Sequence, residues 1–183
     1  MSAAETTPDP LDKLARAARV RLMIFDVDGV LTDGSLHYGA DGEALKTFNV
    51  HDGLGIKLLQ ESGVQTAIIS ARVSPQVVKR AADLGIGFLH QGGHDKLTPF
   101  RALLEKTGLT AEQVGFIGDD VVDLPILSRV GFAVGVPNGR AEVHRRAHHI
   151  TEAAGGRGAV REICEFVLRA QGSYDQVMAQ FLV

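Results

Sequence analysis

Apolar and polar positions alternate between two rhythms along this chain. Residues 11–20, LDKLARAARV, place Leu11, Leu14, Ala15 and Ala18 on one helical face. The next run, RLMIFDV, is continuously apolar and predicts a buried strand that breaks into the turn-rich DGVLTDG. Residues 35–48 predict a hairpin, SLHY and EALKTF about GADG, with Asp41-Gly42 as the turn dipeptide. HDGLGIKLLQESG predicts a helix stopped by Gly63, and VQTAIIS a second buried strand. Ser74 and Pro75 predict the cap and first residue of the helix SPQVVKRAADLG. The alternation continues: strand IGFLHQG, helix HDKLTPFRALLEKTG, strand VGFIGDD, short helix VVDLPILSRVG, strand FAVGVPNG, then GRAEVHRRA, HHIT and the helical GGRGAVREICEFVLRAQ.

Strands alternating with helices predict an α/β fold: a doubly wound, mostly parallel, Rossmann-like sheet with helices on both faces. The organisation expected is a flexible lead over 1–10, one domain over 11–170 and a tail over 171–183. In such sheets ligands sit at the C-terminal ends of strands. That rule selects the loops 26–34, 70–72, 92–96 and 118–123 for chemistry.

Composition narrows the class. A chain of 183 residues is one ordinary domain and is long enough to bury a full core. Apolar residues at 45% and charged residues at 22% exclude bulk disorder. With 19 Lys and Arg against 22 Asp and Glu, the net charge of −3 speaks against sequence-independent nucleic-acid binding. No apolar run approaches the roughly 20 residues of a membrane span. The polar, acidic MSAAETTPDP does not read as a signal peptide. One cysteine, Cys164, allows neither an internal disulfide nor a cysteine zinc cage. A reducing, cytoplasmic setting is expected.

The candidate chemistry is carboxylate chemistry. Asp26 and Asp28 end the first strand; two apart on a strand, they share a side roughly 6–7 Å apart at Cα. Such carboxylates repel unless a cation or proton intervenes. Asp119 and Asp120 end another strand, and Asp123 follows about one turn on. The set suits a hard, oxygen-seeking cation, Mg²⁺ best of all. Ser70 ends AIIS, and Lys96 starts a helix; a hydroxyl and an ammonium are what a phosphoryl group needs on its other side. Singly, each has a plain alternative: DxD as a turn cap, Ser70 as a strand-end cap, Lys96 as a solvated helix lysine. Their combination is the specific signal.

DVDGVLTDG, ISAR, DK and GDDVVD resemble, in order, the four motifs of the haloacid dehalogenase superfamily of phosphatases, over about residues 20–170. KTFNVHDGLGIKLL and GGRGAVREICEFVL resemble its branch containing 3-deoxy-D-manno-octulosonate 8-phosphate phosphatases, which lack a large cap; the short hairpin, a small flap, agrees. The resemblance implies Asp26 as nucleophile and Asp28 as acid–base group. It implies Mg²⁺ held by Asp26, Asp119 and the backbone carbonyl of Asp28, with Asp123 and Asp120 in support. Ser70 and Lys96 would grip the phosphoryl oxygens.

Substrate contacts are read more broadly. Arg72 either pairs with a sugar carboxylate or is a surface arginine. Thr32, Asp33 and the hairpin's His37 and Lys46 are placed at the entrance. His51 stands where the branch often has Arg, implying contact with a substrate carboxylate. Arg157 in the glycine loop 155–158 either reaches a ligand, in its own or a neighbouring subunit, or lies in a tight turn that lets the last helix pack. His144 and His148, four apart on an expected helix, read as a solvated basic face. The resembled branch also implies a homotetramer in which C-terminal tails close neighbouring sites; Met178, Phe181, Leu182 and Val183 make an apolar tail suited to this. Competing readings are a phosphatase of nine-carbon sialic-acid-type sugar phosphates, a phosphomutase, a non-catalytic oligomerising homologue, and a signalling receiver domain, the last disfavoured by the strand order of its acidic residues.

Overall fold

A computed structural model describes residues 10–182. Six parallel strands form one sheet in the order β5-β4-β1-β6-β7-β8. These are β1 (Leu22–Phe25), β4 (Gln65–Ser70), β5 (Phe88–Gln91), β6 (Val114–Gly118), β7 (Phe132–Gly135) and β8 (His149–Ile150). A separate antiparallel pair, β2 (His37–Gly39) and β3 (Gly42–Leu45), is the expected hairpin. Its two-residue turn is Ala40-Asp41, one position earlier than the Asp41-Gly42 reading, because Gly39 pairs with Gly42.

Each central strand is buried on both faces, which is why these strands read as unbroken apolar runs. In β1, Met23 and Phe25 face one core and Leu22 and Ile24 the other. The first core is covered by α1 (Pro10–Ala18), α2 (Val50–Glu61), α3 (Pro75–Leu84) and α7 (Ala159–Ala170). The second is covered by α4 (Leu97–Thr107), α5 (Leu124–Leu127) and α6 (Ala141–His144). The chain leaves β1 for β4 and β5 on one side, then crosses back to β6, β7 and β8 on the other. The crevice where the direction of winding reverses lies at the C-terminal ends of β1, β4 and β6.

Several expectations change in detail. Of the expected flexible lead, residues 1–9 lie outside the described residues, and Pro10 opens α1. His148 lies beyond α6, which ends at His144. Neither histidine is a free solvated group: His144 Nε2 lies 2.8 Å from the Val136 carbonyl, and Ala133 N–H donates to His148 Nδ1 at 2.9 Å. The tail forms α8 (Tyr174–Met178) and a short turn, and Val177 packs into this chain's own core. Phe181 and Leu182 remain exposed, and Val183 lies outside the described residues. Among the described residues no helix is long and apolar enough to cross a membrane.

The last long helix takes its cap from elsewhere. Gly158 precedes α7 and has no side chain to cap it. Buried Asp52 from α2 supplies the acceptor instead: Arg161 N–H donates to its Oδ1 at 2.7 Å. Burial pushes the Asp52 carboxyl above the usual range, against the hydrogen bonds from the backbone of α7. Asp52→Ala should therefore destabilise the fold by about 1–2 kcal/mol, the cost of a lost cap. Urea unfolding should show a lower midpoint at unchanged slope.

Candidate active site

The chain departs from strand geometry at Asp26. Residues Val27–Leu31 wind into an irregular helical turn, closed by Thr32 N–H donating to Val27 O at 3.0 Å. Asp28 therefore does not continue the strand face of Asp26, as the two-residue spacing had implied. Gly29 makes the turn possible. It holds φ at +88°, and a Cβ there would lie 2.1 Å from Asp119 Oδ2. Thr32, expected to touch substrate, is buried and works inside this turn. Its hydroxyl donates to Val27 O at 3.3 Å and accepts from Gly34 N–H at 3.2 Å.

The floor of the site is one buried cluster. Asp26, Asp119 and Asp123 place carboxylate oxygens within 4.8 Å of one another. Asp26 follows β1, Asp119 follows β6, and Asp123 closes the short turn Val121–Asp123. Lys96, just before α4, sends its ammonium into this group, 2.8 Å from Asp26 Oδ1 and 2.6 Å from Asp123 Oδ1. The lysine is 1% exposed, so the solvated-lysine alternative falls away. Asp95 starts the helix beside it, accepting from Leu97 N–H at 3.0 Å and Thr98 N–H at 3.2 Å. Asp123 also organises its own loop, its Oδ2 accepting from the N–H groups of Asp119 (3.0 Å) and Asp120 (3.2 Å). Asp120 is exposed and accepts from Val121 N–H at 2.7 Å. Ser70 is buried at the end of β4, the strand beside β1.

Electrostatics follow from burial. Desolvation pushes Asp26 well above the usual carboxylate range; Asp123 adds to this, while Lys96 opposes it. Asp119 is pushed up to about 7, first by burial and then by Asp123 and Asp120. Burial opposes the charge on Lys96, yet Asp26 and Asp123 hold its ammonium above its ordinary range. One buried cation thus faces more negative charge than it can balance.

A second group lies on the hairpin side. Asp28 is ion-paired with Lys46, which follows β3, and its Oδ2 is 3.7 Å from Arg72 Nε. Arg72 is no loose surface arginine: its Nη2 donates to Glu43 Oε2 at 3.0 Å and to the Tyr38 hydroxyl at 3.2 Å. Two expected substrate residues lie apart from both groups in the single chain. His51 is exposed in a cleft of about 460 Å³ with Gly158, Arg161, Glu162 and Glu165. Arg157 is an exposed side chain 3.5 Å from Asp33.

The structure adds one residue that no motif singled out. Asn138, after β7, donates to Gly29 O at 2.9 Å and accepts from Gly155 N–H at 2.8 Å. Gly155 backs directly onto the turn, since a Cβ there would sit 1.8 Å from Gly29 O. The glycine loop therefore buttresses the Asp26–Asp28 turn through Gly155 and leads into α7 through Gly158. An Asn-Gly pair in sequence signals only a turn.

Buried acids with a shielded lysine, gathered at the switch point of a parallel sheet, describe a centre for phosphoryl chemistry. The family model for haloacid dehalogenase-like hydrolases matches residues 86–163. The 3-deoxy-D-manno-octulosonate 8-phosphate phosphatase KdsC of Escherichia coli K12 is 45% identical over 173 residues, covering 94% of this chain and 92% of that one. The chain belongs to the haloacid dehalogenase-like hydrolases and is a phosphoric monoester hydrolase. Solved structures narrow the likeness to one kind of member. A probable YrbI-family phosphatase from Pseudomonas syringae is 48% identical with a TM-score of 0.92, covering 94% of this chain and 98% of that one. The 3-deoxy-D-manno-octulosonate 8-phosphate phosphatase of Moraxella catarrhalis, solved with magnesium, phosphate and KDO, is 40% identical with a TM-score of 0.92, covering 94% and 99%.

The raised carboxyl of Asp119 has a measurable consequence in metal-free protein. The folded group titrates near 7 and the unfolded group near 3.8. Between those values the folded state holds a proton that the unfolded state lacks, so this group's contribution to stability falls as pH rises across the window. Asp119→Asn removes the titration. Its stability relative to the parent should climb from about pH 4 to about pH 7 and then level off, in urea melts with chelator present. An equal difference at pH 5 and pH 7.5 would contradict this.

Proposed function

We propose that this chain is a Mg²⁺-dependent phosphatase that hydrolyses 3-deoxy-D-manno-octulosonate 8-phosphate to the free sugar acid and phosphate. The observation that carries this is the buried Asp26–Lys96–Asp123 cluster with Asp119 beside it, in a chain 45% identical to phosphatases of that ester over 94% of its length. The donors fit a divalent cation: three carboxylates converge, two of them held above their ordinary range, and all offer hard oxygen. Asp26, Asp119 and the backbone carbonyl of Asp28 would hold Mg²⁺, with Asp123 in support. Once bound, it supplies charge neutralisation for the carboxylate and the phosphoryl oxygens.

The chain's own residues divide the work. Asp26 attacks phosphorus, and the bond from phosphorus to the sugar oxygen breaks. Asp28 gives that oxygen its proton. As a carboxylate, Asp28 then takes a proton from the water that attacks the aspartyl phosphate, which frees phosphate and restores Asp26. Lys96, already on Asp26 Oδ1, and Ser70 at the end of β4 hold phosphoryl oxygens that face away from the metal. Asp123 keeps Lys96 in place, and Asp120 shapes the loop. Arg72 recognises the sugar carboxylate. His51 and Arg157, both exposed in one chain, meet substrate through a neighbouring subunit of a homotetramer. The physiological role is cytoplasmic synthesis of the inner sugar of lipopolysaccharide.

Phosphate release should be strong and Mg²⁺-dependent for the octulosonate ester, weak for hexose phosphates, and lost in Asp26→Asn. A preference for nine-carbon acid sugar phosphates would keep the mechanism and replace the substrate; free transfer to a second hydroxyl would mark a mutase. The tail offers a separate check. Deleting residues 179–183, which leaves the buried Val177 intact, should raise KM for the sugar ester more than for p-nitrophenyl phosphate. Equal effects would count against a tail reaching a neighbour.

A further inference from the structure

The loop after β7, residues 137–140, ties together two parts of the site that come from different strands. In the sheet, β6 lies between β7 and β1, so this loop passes over the end of β6 to meet the turn after β1. At one end, Arg140 N–H donates to the Asp119 carbonyl at 2.7 Å. Gly139 lies flat against the same residue: a Cβ there would sit 3.1 Å from the Asp119 carbonyl oxygen and 3.3 Å from its Cα. At the other end, Asn138 Nδ2 donates to the Gly29 carbonyl at 2.9 Å. Gly139 N–H donates to Val136 O at 2.9 Å and closes the loop on itself.

The partners of the Asn138 amide fix which way it points. Gly155 N–H can only donate, so it takes Oδ1 at 2.8 Å. That leaves Nδ2 for the Gly29 carbonyl, which can only accept. The carbonyl belongs to the residue of the turn with the greatest backbone freedom, a buried glycine at φ +88°. The other hydrogen bond on Gly29, from its N–H to the Thr32 hydroxyl, is long at 3.4 Å and correspondingly weak. Gly29 also lies directly against the Asp119 carboxylate, with no room for a side chain between them. The peptide on its N-terminal side carries the Asp28 carbonyl. Rotation at Gly29 therefore shifts that carbonyl relative to the Asp119 carboxylate, and Asn138 opposes the rotation.

We infer that Asn138 is a positioning residue that fixes the separation between the Asp28 carbonyl and the Asp119 carboxylate, and that this fixed separation selects Mg²⁺ over the larger Ca²⁺. Asn138 is no ligand itself; it acts through Gly29. Mg²⁺ demands near-ideal octahedral oxygen at about 2.0–2.1 Å, whereas Ca²⁺ accepts six to eight oxygens at about 2.3–2.6 Å in adaptable geometry. A site whose two walls are tied to one loop suits the exacting ion. A site whose Asp28 carbonyl drifts loses Mg²⁺ and still accommodates Ca²⁺. The inference rests on the reading above that Asp26, Asp119 and the Asp28 carbonyl hold the cation, and it adds what sets their spacing.

The test titrates metal-free full-length protein with Mg²⁺ and with Ca²⁺ by calorimetry, in the parent, Asn138→Ala and Asp119→Asn. A fourth protein, Val177→Ala, truncates the core away from the loop and shows what lost stability alone does. Asn138→Ala should weaken Mg²⁺ about tenfold, the loss usual when a group supporting a ligand is removed, and Ca²⁺ by less than about threefold. Val177→Ala should leave the ratio of the two affinities at the parent value. Kinetics supply a second readout: the Mg²⁺ concentration for half-maximal release from p-nitrophenyl phosphate should rise about tenfold in Asn138→Ala, with kcat at saturating Mg²⁺ back within about threefold of the parent. Parent-like Mg²⁺ affinity in Asn138→Ala, or equal weakening of both ions, would overturn the role of Asn138. Parent-like Mg²⁺ binding by Asp119→Asn would instead remove the ligand set beneath it.

Discussion

The buried ammonium of Lys96 is surrounded by more negative charge than it can neutralise, and strand ends on both sides of β1 bring that charge together. Removing an amine from water is costly, and the cost is met only where hydrogen-bonding carboxylates surround it. Asp26 and Asp123 do so from the ends of two different structural segments. Asp119 adds a further carboxylate within the same small volume. The result is a site poised to accept more positive charge, built at the expense of local stability. Such local conflict is what a catalytic floor displays and what a packed core avoids.

How far this could be read from the chain depends on how directly fold converts order into position. A parallel sheet brings all its strand ends to one edge, so Asp26, Ser70, Lys96, Asp119 and Asp123 could be grouped from hydrophobic runs and the residues that end them. Other features were hidden because their cause is not local. Asp28 leaves the face of Asp26 since the chain winds into a turn that only Gly29 permits beside Asp119. His148 looked helical by spacing, but a backbone N–H of the neighbouring strand claims its ring. Asn138 carries no motif; its role exists only once β7 lies beside the turn after β1. The tail reads through Met178, Phe181, Leu182 and Val183 as reaching a neighbour, and its anchor in this chain's own core, Val177, is overlooked as one apolar residue in a polar stretch.

Two mechanical regimes meet at Asp28. On one side is the floor, made of strand ends buried on both faces, where atoms have no room to shift. On the other is a hairpin that meets the body of this chain through polar and charged contacts at Asp28, Arg72, Ser74 and Gln76. The fold thus sets an exposed hairpin beside a buried floor of carboxylates. It does so without a second domain, using nine residues of chain between His37 and Leu45.

The contact of Asn138 with Gly29 spans 109 positions of sequence. The turn bearing both acid residues is synthesised early, yet its supports, Asp119, Asn138 and Gly155, lie in the last 65 or so residues. The shape of that turn is therefore set by segments more than 80 residues further along the chain, and a chain cut short of Asn138 lacks the side chain that holds the Gly29 carbonyl.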